Sequence, residues 1–220
     1  FEVRNHGTQV KMHHVTPWKS LACRRLRRCF SARVEATKRW VDSIVIGEKL
    51  CPFAAAVKED QKLRVLASEA KDVTALAKEV AMEAELLVGG LNGQPGAPET
   101  TLLVLDPAQS FCATWQSFVQ TSWTLQQEAI HAPGFSELLQ IVLFHPAAVH
   151  SVYAEGPPDP ADFTIRAPFP TVHLLREADV MKAVTSYPDT AQIPARNKAK
   201  LRSRGLAFCE ERWSTLAAKI

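Results

Sequence analysis

The chain has no uninterrupted apolar run of the ~18 residues that a bilayer-crossing helix needs, so a membrane-spanning helix has no candidate. No C-x-x-C pair occurs, which leaves a structural zinc site without its usual thiolate spacing. The five cysteines, Cys23, Cys29, Cys51, Cys112 and Cys209, are odd in number and scattered, unlike a disulfide framework. Two lie in the N-terminal segment, and the three of the body read as thiols of a reduced compartment. Neither G-x-G-x-x-G nor G-x-x-x-x-G-K is present, and G-x-S-x-G is missing too. The glycine loops that cradle phosphates and the strained nucleophile elbow therefore have no candidates. No apolar segment follows the basic N-terminal cluster, which argues against a secretory signal. There is no internal repeat.

What is present suits one ordinary domain behind an N-terminal extension. The 220 residues are 46% apolar and 22% charged, enough to bury a core without global disorder. The net charge of +3 is unevenly placed. Residues 1–34 carry eight basic side chains (Arg4, Lys11, Lys19, Arg24, Arg25, Arg27, Arg28 and Arg33) against one acid, Glu2. That leaves 18 basic and 22 acidic residues, a formal −4, for 35–220. A mildly acidic body lacks the concentrated basic footprint of a general nucleic-acid binder. The segment from Met12, MHHVTPWKSLACRRLRRCFSARV, has six basic residues and no acid. This is the composition of an organellar transit peptide, and cleavage after Phe30 would expose Ser31. The expectation is a mitochondrial leader, with plastid or cytoplasm as alternatives. A basic surface helix or nucleic-acid arm is the structural alternative. Residues 1–33 are read as leader and 34–220 as the domain.

Along the body, Ala36, Trp40, Ile44 and Val45 mark a helical stripe within 34–50. Leu63–Ser68 reads as a short strand. Asp72 can cap a helix whose apolar face is Val73, Leu76, Ala77, Val80, Ala81, Ala84 and Leu87. Residues 89–99, with four glycines and two prolines, read as a loop. Thr100–Asp106 is apolar on both faces, as a central strand would be. Phe111, Trp115, Phe118, Val119, Ser122 and Leu125 give a second amphipathic helix, and Leu138–Phe144 a third buried strand. Residues 146–170 hold six prolines and read as an irregular loop, long enough to suggest function. Thr171–Leu175 follows as a last strand, then helices from Ile193 with a break at Gly205. Phe208, Cys209, Trp213 and Leu216 form the final apolar face. Trp115, Trp123 and Trp213 are expected in the core, and Lys198, Lys200, Arg202 and Arg204 on a solvated helix face. This alternation predicts a single α/β domain with a mixed or parallel sheet of three to five strands flanked by helices. The alternative is a two-layer ferredoxin-like α+β fold.

The chemistry-bearing candidates sit in loops and at strand ends. Pro52 suits a first helical position, which would put Cys51 at an N-cap, where amide hydrogens lower a thiol's pKa. A buried small apolar residue is the alternative for Cys51. His145 follows a buried strand at the edge where α/β proteins bind ligands. It is either a proton carrier or metal ligand, or a ring bonded to a backbone carbonyl. His173 shares a strand face with Thr171 and Leu175. Arg166, Arg176 and Arg196, with Asn197, would suit a carboxylate or phosphate through bidentate bonds. The opposing reading pairs Arg166 with Asp162 and Arg176 with Glu177. No metal set and no cofactor is indicated, and the oligomeric state is open.

Five segments appear in order: Cys51-Pro52-Phe53-Ala54 after a Trp40-containing helix, Thr100–Val104, Phe144-His145-Pro146, Arg166-x-Pro-Phe-Pro-Thr-Val-His-Leu-Leu-Arg-Glu177, and Arg196-Asn197. Together they make roughly residues 37–205 resemble the family catalogued as domain of unknown function 1415, small proteins widespread in bacteria. That family has no established activity. The resemblance therefore implies one domain and gives weight to Cys51, His145, Arg166, His173, Arg176, Arg196 and Asn197, without a mechanism. Before Pro168 and Pro170 the family pattern is richer in hydroxyls and amides. Here the corresponding positions are Phe163, Ile165, Ala167 and Phe169, which removes hydrogen-bonding capacity. After His145-Pro146 the family carries an aromatic, where this chain has Ala147-Ala148. Two functions stand on these residues. One is an enzyme acting on a small anionic substrate through cysteine, histidine and arginine. The other is a non-catalytic binding or assembly module in an organelle.

Overall fold

The computed structural model describes residues 21–151, 158–187 and 189–217, with side chains over 31–151, 158–187 and 189–216. The leader upstream of residue 21 lies outside the described residues.

Four strands make one sheet: β1 (Leu63–Ala67), β2 (Thr100–Val104), β3 (Leu139–Phe144) and β4 (Thr171–Arg176), in the order β1-β2-β4-β3. β1 and β2 run parallel, with Leu63 opposite Thr100. Parallel neighbours need a crossover, and helix α3 (Val73–Leu91) supplies it. β4 is antiparallel to both its neighbours, which sets His173 between Leu102 and Val142. The sheet is thus mixed and open.

Side chains alternate across this sheet, and both faces are covered. One face presents Leu103, Leu105, Val172, Leu174 and Leu139 to α3 and to α4 (Trp115–Leu125), where Leu76, Val80, Leu87, Phe118 and Leu125 meet them. The other face turns Leu102 toward Trp40 at the end of α1 (Leu21–Trp40) and Ile44 in the π-helical stretch Val41–Ile46. Leu201 of α6 (Ile193–Arg204), and Trp213 and Leu216 of α7 (Leu206–Ala217), complete that second core. Helices on both sides make three layers. That establishes the single α/β domain and sets aside the two-layer ferredoxin-like alternative.

Local chemistry explains most boundaries. The Asp72 carboxylate accepts the Ala75 N–H at 2.8 Å, the cap expected of α3. α4 begins at Trp115, not Phe111, because Thr114 caps it: its hydroxyl accepts the Ser117 N–H, and the Ser117 hydroxyl accepts the Thr114 N–H. α1 starts at Leu21 and runs through the boundary expected at 33/34. α3 continues through Gly89 and Gly90, which the sequence places in a loop. A Cβ at residue 90 would lie 2.8 Å from a guanidinium nitrogen of Arg176 and 2.9 Å from the Ala97 Cβ, so the position suits glycine.

Other expectations need correction. Trp123 is 71% exposed on α4 rather than buried. The Pro-rich loop contains a 3-10 turn, Pro160–Thr164, while residues 152–157 of that loop lie outside the described set. Three of the four basic residues on α6, Lys200, Arg202 and Arg204, are ion-paired, while Arg202 and Arg204 keep the exposure expected of a solvated face. Arg202 grips Asp159 through both carboxylate oxygens, holding that carboxyl down to about 2. Lys200 and Arg204 flank the buried Glu48. A helix absent from the sequence reading, α5 (Glu177–Ser186), follows β4 directly.

Candidate functional site

A cavity of about 340 Å³ opens between the second sheet face and the helices that cover it. This falls at the lower end of small-molecule sites, roughly 300–1,000 Å³. Five regions supply most of its wall. The π-helical stretch contributes Val41 and Val45, which follow Trp40. Residues 50–57 bring Leu50, Cys51, Phe53, Ala54 and Val57. The strands add Leu63, Thr100, Leu102, Phe144, His173 and Leu175. Phe163 and Thr164 come from the 3-10 turn. Val180, Ala183 and Val184 come from α5. The lining is overwhelmingly apolar, and no residue of α5 is buried.

The sheet fixes His173. The Thr100 hydroxyl lies 2.7 Å from the Leu174 carbonyl oxygen and 2.7 Å from His173 Nε2. A carbonyl can only accept, so the single hydroxyl proton points at Leu174. His173 must then donate its Nε2–H to Thr100, which leaves Nδ1 as the bare nitrogen of a neutral ring. Among the described residues Nδ1 has no hydrogen-bond partner, and the ring stands on the cavity lining. Desolvation by the apolar walls pushes the imidazole down to about 4.

Cys51 is on the same lining, half-buried. It is not the N-cap expected from Pro52. The short helix α2 spans Ala54–Glu59 with Phe53 as its N-cap, because Pro52 and Phe53 form a turn first. Asn197 lines the cavity as well. Its amide NH2 donates to the Leu50 carbonyl at 2.6 Å and so ties α6 to the segment entering Cys51. At the rim, Arg176 is buried and matched by two carboxylates. Its guanidinium bonds Asp179 on α5 and lies 3.4 Å from Glu99, which Lys62 also approaches at 2.6 Å. The sequence expected Glu177 as its partner. Glu177 instead accepts from Gln140, because the turn into α5 directs Asp179 back over Arg176.

The cavity therefore gathers Cys51, His173, Arg176 and Asn197 of the seven expected residues, and not the other three. His145 is buried on the opposite face beside Trp115 and Phe118. Its Nε2–H donates to the Cys112 carbonyl at 3.1 Å, and its Nδ1 accepts the Ala147 N–H at 3.0 Å. Both nitrogens are thus used by backbone, and burial lowers its proton affinity. Arg166 donates to the Ala148 carbonyl, stacks over Phe163 and faces Asp162. The exposed Arg196 bonds the Asp189 carbonyl. The three arginines do not converge. Thr100, Glu99, Asp179 and the apolar face of α5 were missed. The spacing of Val180, Ala183 and Val184 was the available signal for that face. Among the described residues no cluster of three or more His, Cys, Asp or Glu could hold a metal ion, and no helix is long and apolar enough to cross a membrane.

An apolar cavity beneath one face of a three-layer α/β sheet, with a single neutral imidazole in its wall, defines a one-domain protein with a small-molecule-sized site. The profile of one family, described as a protein of unknown function (DUF1415), matches residues 32–211. The chain belongs to that family. No curated protein and no solved structure matches it.

Proposed function

We propose that this domain binds a small, mainly apolar molecule in the cavity between the sheet and the helices α2 and α5. The observation that carries this reading is the lining itself, almost wholly aliphatic and aromatic around one uncharged imidazole. An anionic substrate is less well served. Arg176, the only arginine on that lining among the described residues, already faces Glu99 and Asp179. His173 is also a weak base for proton transfer near neutral pH, since general-base catalysis favours a pKa close to the working pH. A catalytic reading retains one support: Cys51, partly open on the cavity wall. The basic leader supports residence in mitochondria, and an import assay with isolated organelles tests that placement.

The test of binding uses p-xylene as an uncharged probe, followed by saturation-transfer NMR on the full chain. Binding that disappears in Ala183→Phe, which fills the space beneath α5, is the expected result. If p-xylene gives no signal, or the signal survives that substitution, the cavity is not the site.

A further inference from the structure

We infer that the natural ligand of this cavity carries an uncharged hydrogen-bond donor, such as a hydroxyl, which docks on His173 Nδ1, and that the site rejects carboxylates and phosphates. This rests on the binding reading above and adds the chemistry of the ligand's polar end.

The polarity of the site follows from the hydrogen-bond inventory. The Thr100 proton is committed to Leu174, so the Nε2–H of His173 is committed to Thr100. The group left over on the ring is an acceptor. Asn197 is neutral and offers both signs: one N–H of its amide donates to the Leu50 carbonyl, which leaves the second N–H as a donor and the amide oxygen as an acceptor. The Thr164 hydroxyl, also on the lining, donates to the Ala161 carbonyl and has no proton left to give. The indole N–H of Trp40 is unpartnered, but it is sealed in the interior and does not reach the cavity's space. At the rim, Glu99 and Asp179 offset Lys62 and Arg176.

An anion would lose its hydration against aliphatic walls, which is costly without a paired charge, and the one guanidinium on the lining among the described residues is already matched by Glu99 and Asp179. A donor completes the one open valence of His173. The ring cannot easily adapt by taking up a proton, because the apolar surroundings disfavour its charged form. This fixed acceptor is what separates the site from a general grease pocket. An unsatisfied polar group discriminates more sharply than apolar contact area does.

Three probes of one shape decide the matter: p-xylene, p-cresol and p-toluate, titrated by saturation-transfer NMR into the wild-type chain and into His173→Phe. In the wild type, p-cresol binds roughly three- to ten-fold more tightly than p-xylene, the range one net hydrogen bond supplies. p-Toluate is the weakest of the three. In His173→Phe the advantage of p-cresol over p-xylene falls to about one-fold, while p-xylene still binds and so reports a folded cavity. If p-xylene binds and p-cresol does no better, or p-toluate binds best, the donor inference is overturned while the cavity reading stands. If p-cresol keeps its advantage in His173→Phe, His173 is not the acceptor. If none of the three binds the wild type, the cavity reading itself falls.

Discussion

Replacing His173 with phenylalanine should make the domain more resistant to acid, and the size of the effect follows from where the ring sits. His173 is enclosed between Leu102 and Val142 on the sheet, beside the Phe144 ring at 6.0 Å. The charged groups on the cavity rim, Glu99, Arg176 and Asp179, are engaged with one another. Burial moves the ring from 6.5 to about 4. The folded form therefore binds its proton less readily than the unfolded chain does. Stability is complete above pH 6.5, falls as pH drops from 6.5 towards 4, and levels off below that. Linkage over such a shift gives a loss of about 2 kcal/mol by pH 5 and about 3 kcal/mol by pH 4. In His173→Phe this component vanishes. The Thr100 hydroxyl still donates to Leu174, so the substitution leaves no donor stranded. Urea unfolding of both proteins, followed by tryptophan fluorescence at pH 7, 6, 5 and 4, measures the difference directly. His145 and His150, whose proton affinities are also lowered by burial, contribute to both proteins and cancel. Parallel stability curves, with the gap changing by less than about 0.5 kcal/mol between pH 7 and pH 5, would refute the desolvation argument.

Three further outcomes are expected. Phe118→Ala, which empties a fully buried site in the core beside His145, should cost about 3–5 kcal/mol, read from the shift in urea midpoint. Gly90→Ala should destabilise the domain although alanine favours a helix by about 1 kcal/mol. The new Cβ would crowd both the Arg176 guanidinium at 2.8 Å and Ala97 at 2.9 Å, and a raised melting temperature would show that both yield freely. Among the cysteines whose side chains are described, Cys51 should be alkylated by iodoacetamide first. Cys112 and Cys209 are buried, and burial pushes the Cys112 thiol up to about 12. Saturating p-xylene should slow Cys51 labelling, as peptide mass spectrometry will show, and unchanged labelling would place the probe elsewhere.

Where the sequence could be read, it was read through periodicity. The period of α3, with Asp72 ahead of it, and the apolar runs of β2 and β3 define the sheet and one of its helical layers before any coordinates exist. The errors have physical sources. Thr114 outcompeted Phe111 as the start of α4, because a hydroxyl cap satisfies amide hydrogens and a phenyl ring does not. Gly89 and Gly90 carry a turn's signature, yet α3 runs through both, and the close approach of Arg176 and Ala97 to residue 90 gives the glycine there a packing role that local rules do not see. Trp123, expected in the core for its size and apolar ring, lies off the buried stripe of α4 and points to water. A helix of modest amphipathicity does not specify how wide its buried face will be.

The candidate site was legible in its members and illegible in its nature. Cys51, His173, Arg176 and Asn197 do meet at one cavity. The sequence read three arginines as attractors for an anion because it could not see their partners. Tertiary contacts spent each of them: Arg176 on Glu99 and Asp179, Arg166 on the Ala148 carbonyl and the Phe163 face, Arg196 on the Asp189 carbonyl. The walls that set the chemistry come from segments that local rules describe least well. These are a π-helical stretch after Trp40, a turn through Pro52 and Phe53, and a helix, α5, with no buried residue. Local consistency fails most often where structure serves a purpose other than its own stability. Side chains that line a cavity forfeit dispersion contacts that a packed core would make. Such a cavity beside the one imidazole on its lining among the described residues, in a domain otherwise packed on both sheet faces, is the feature on which the proposal of a bound ligand rests.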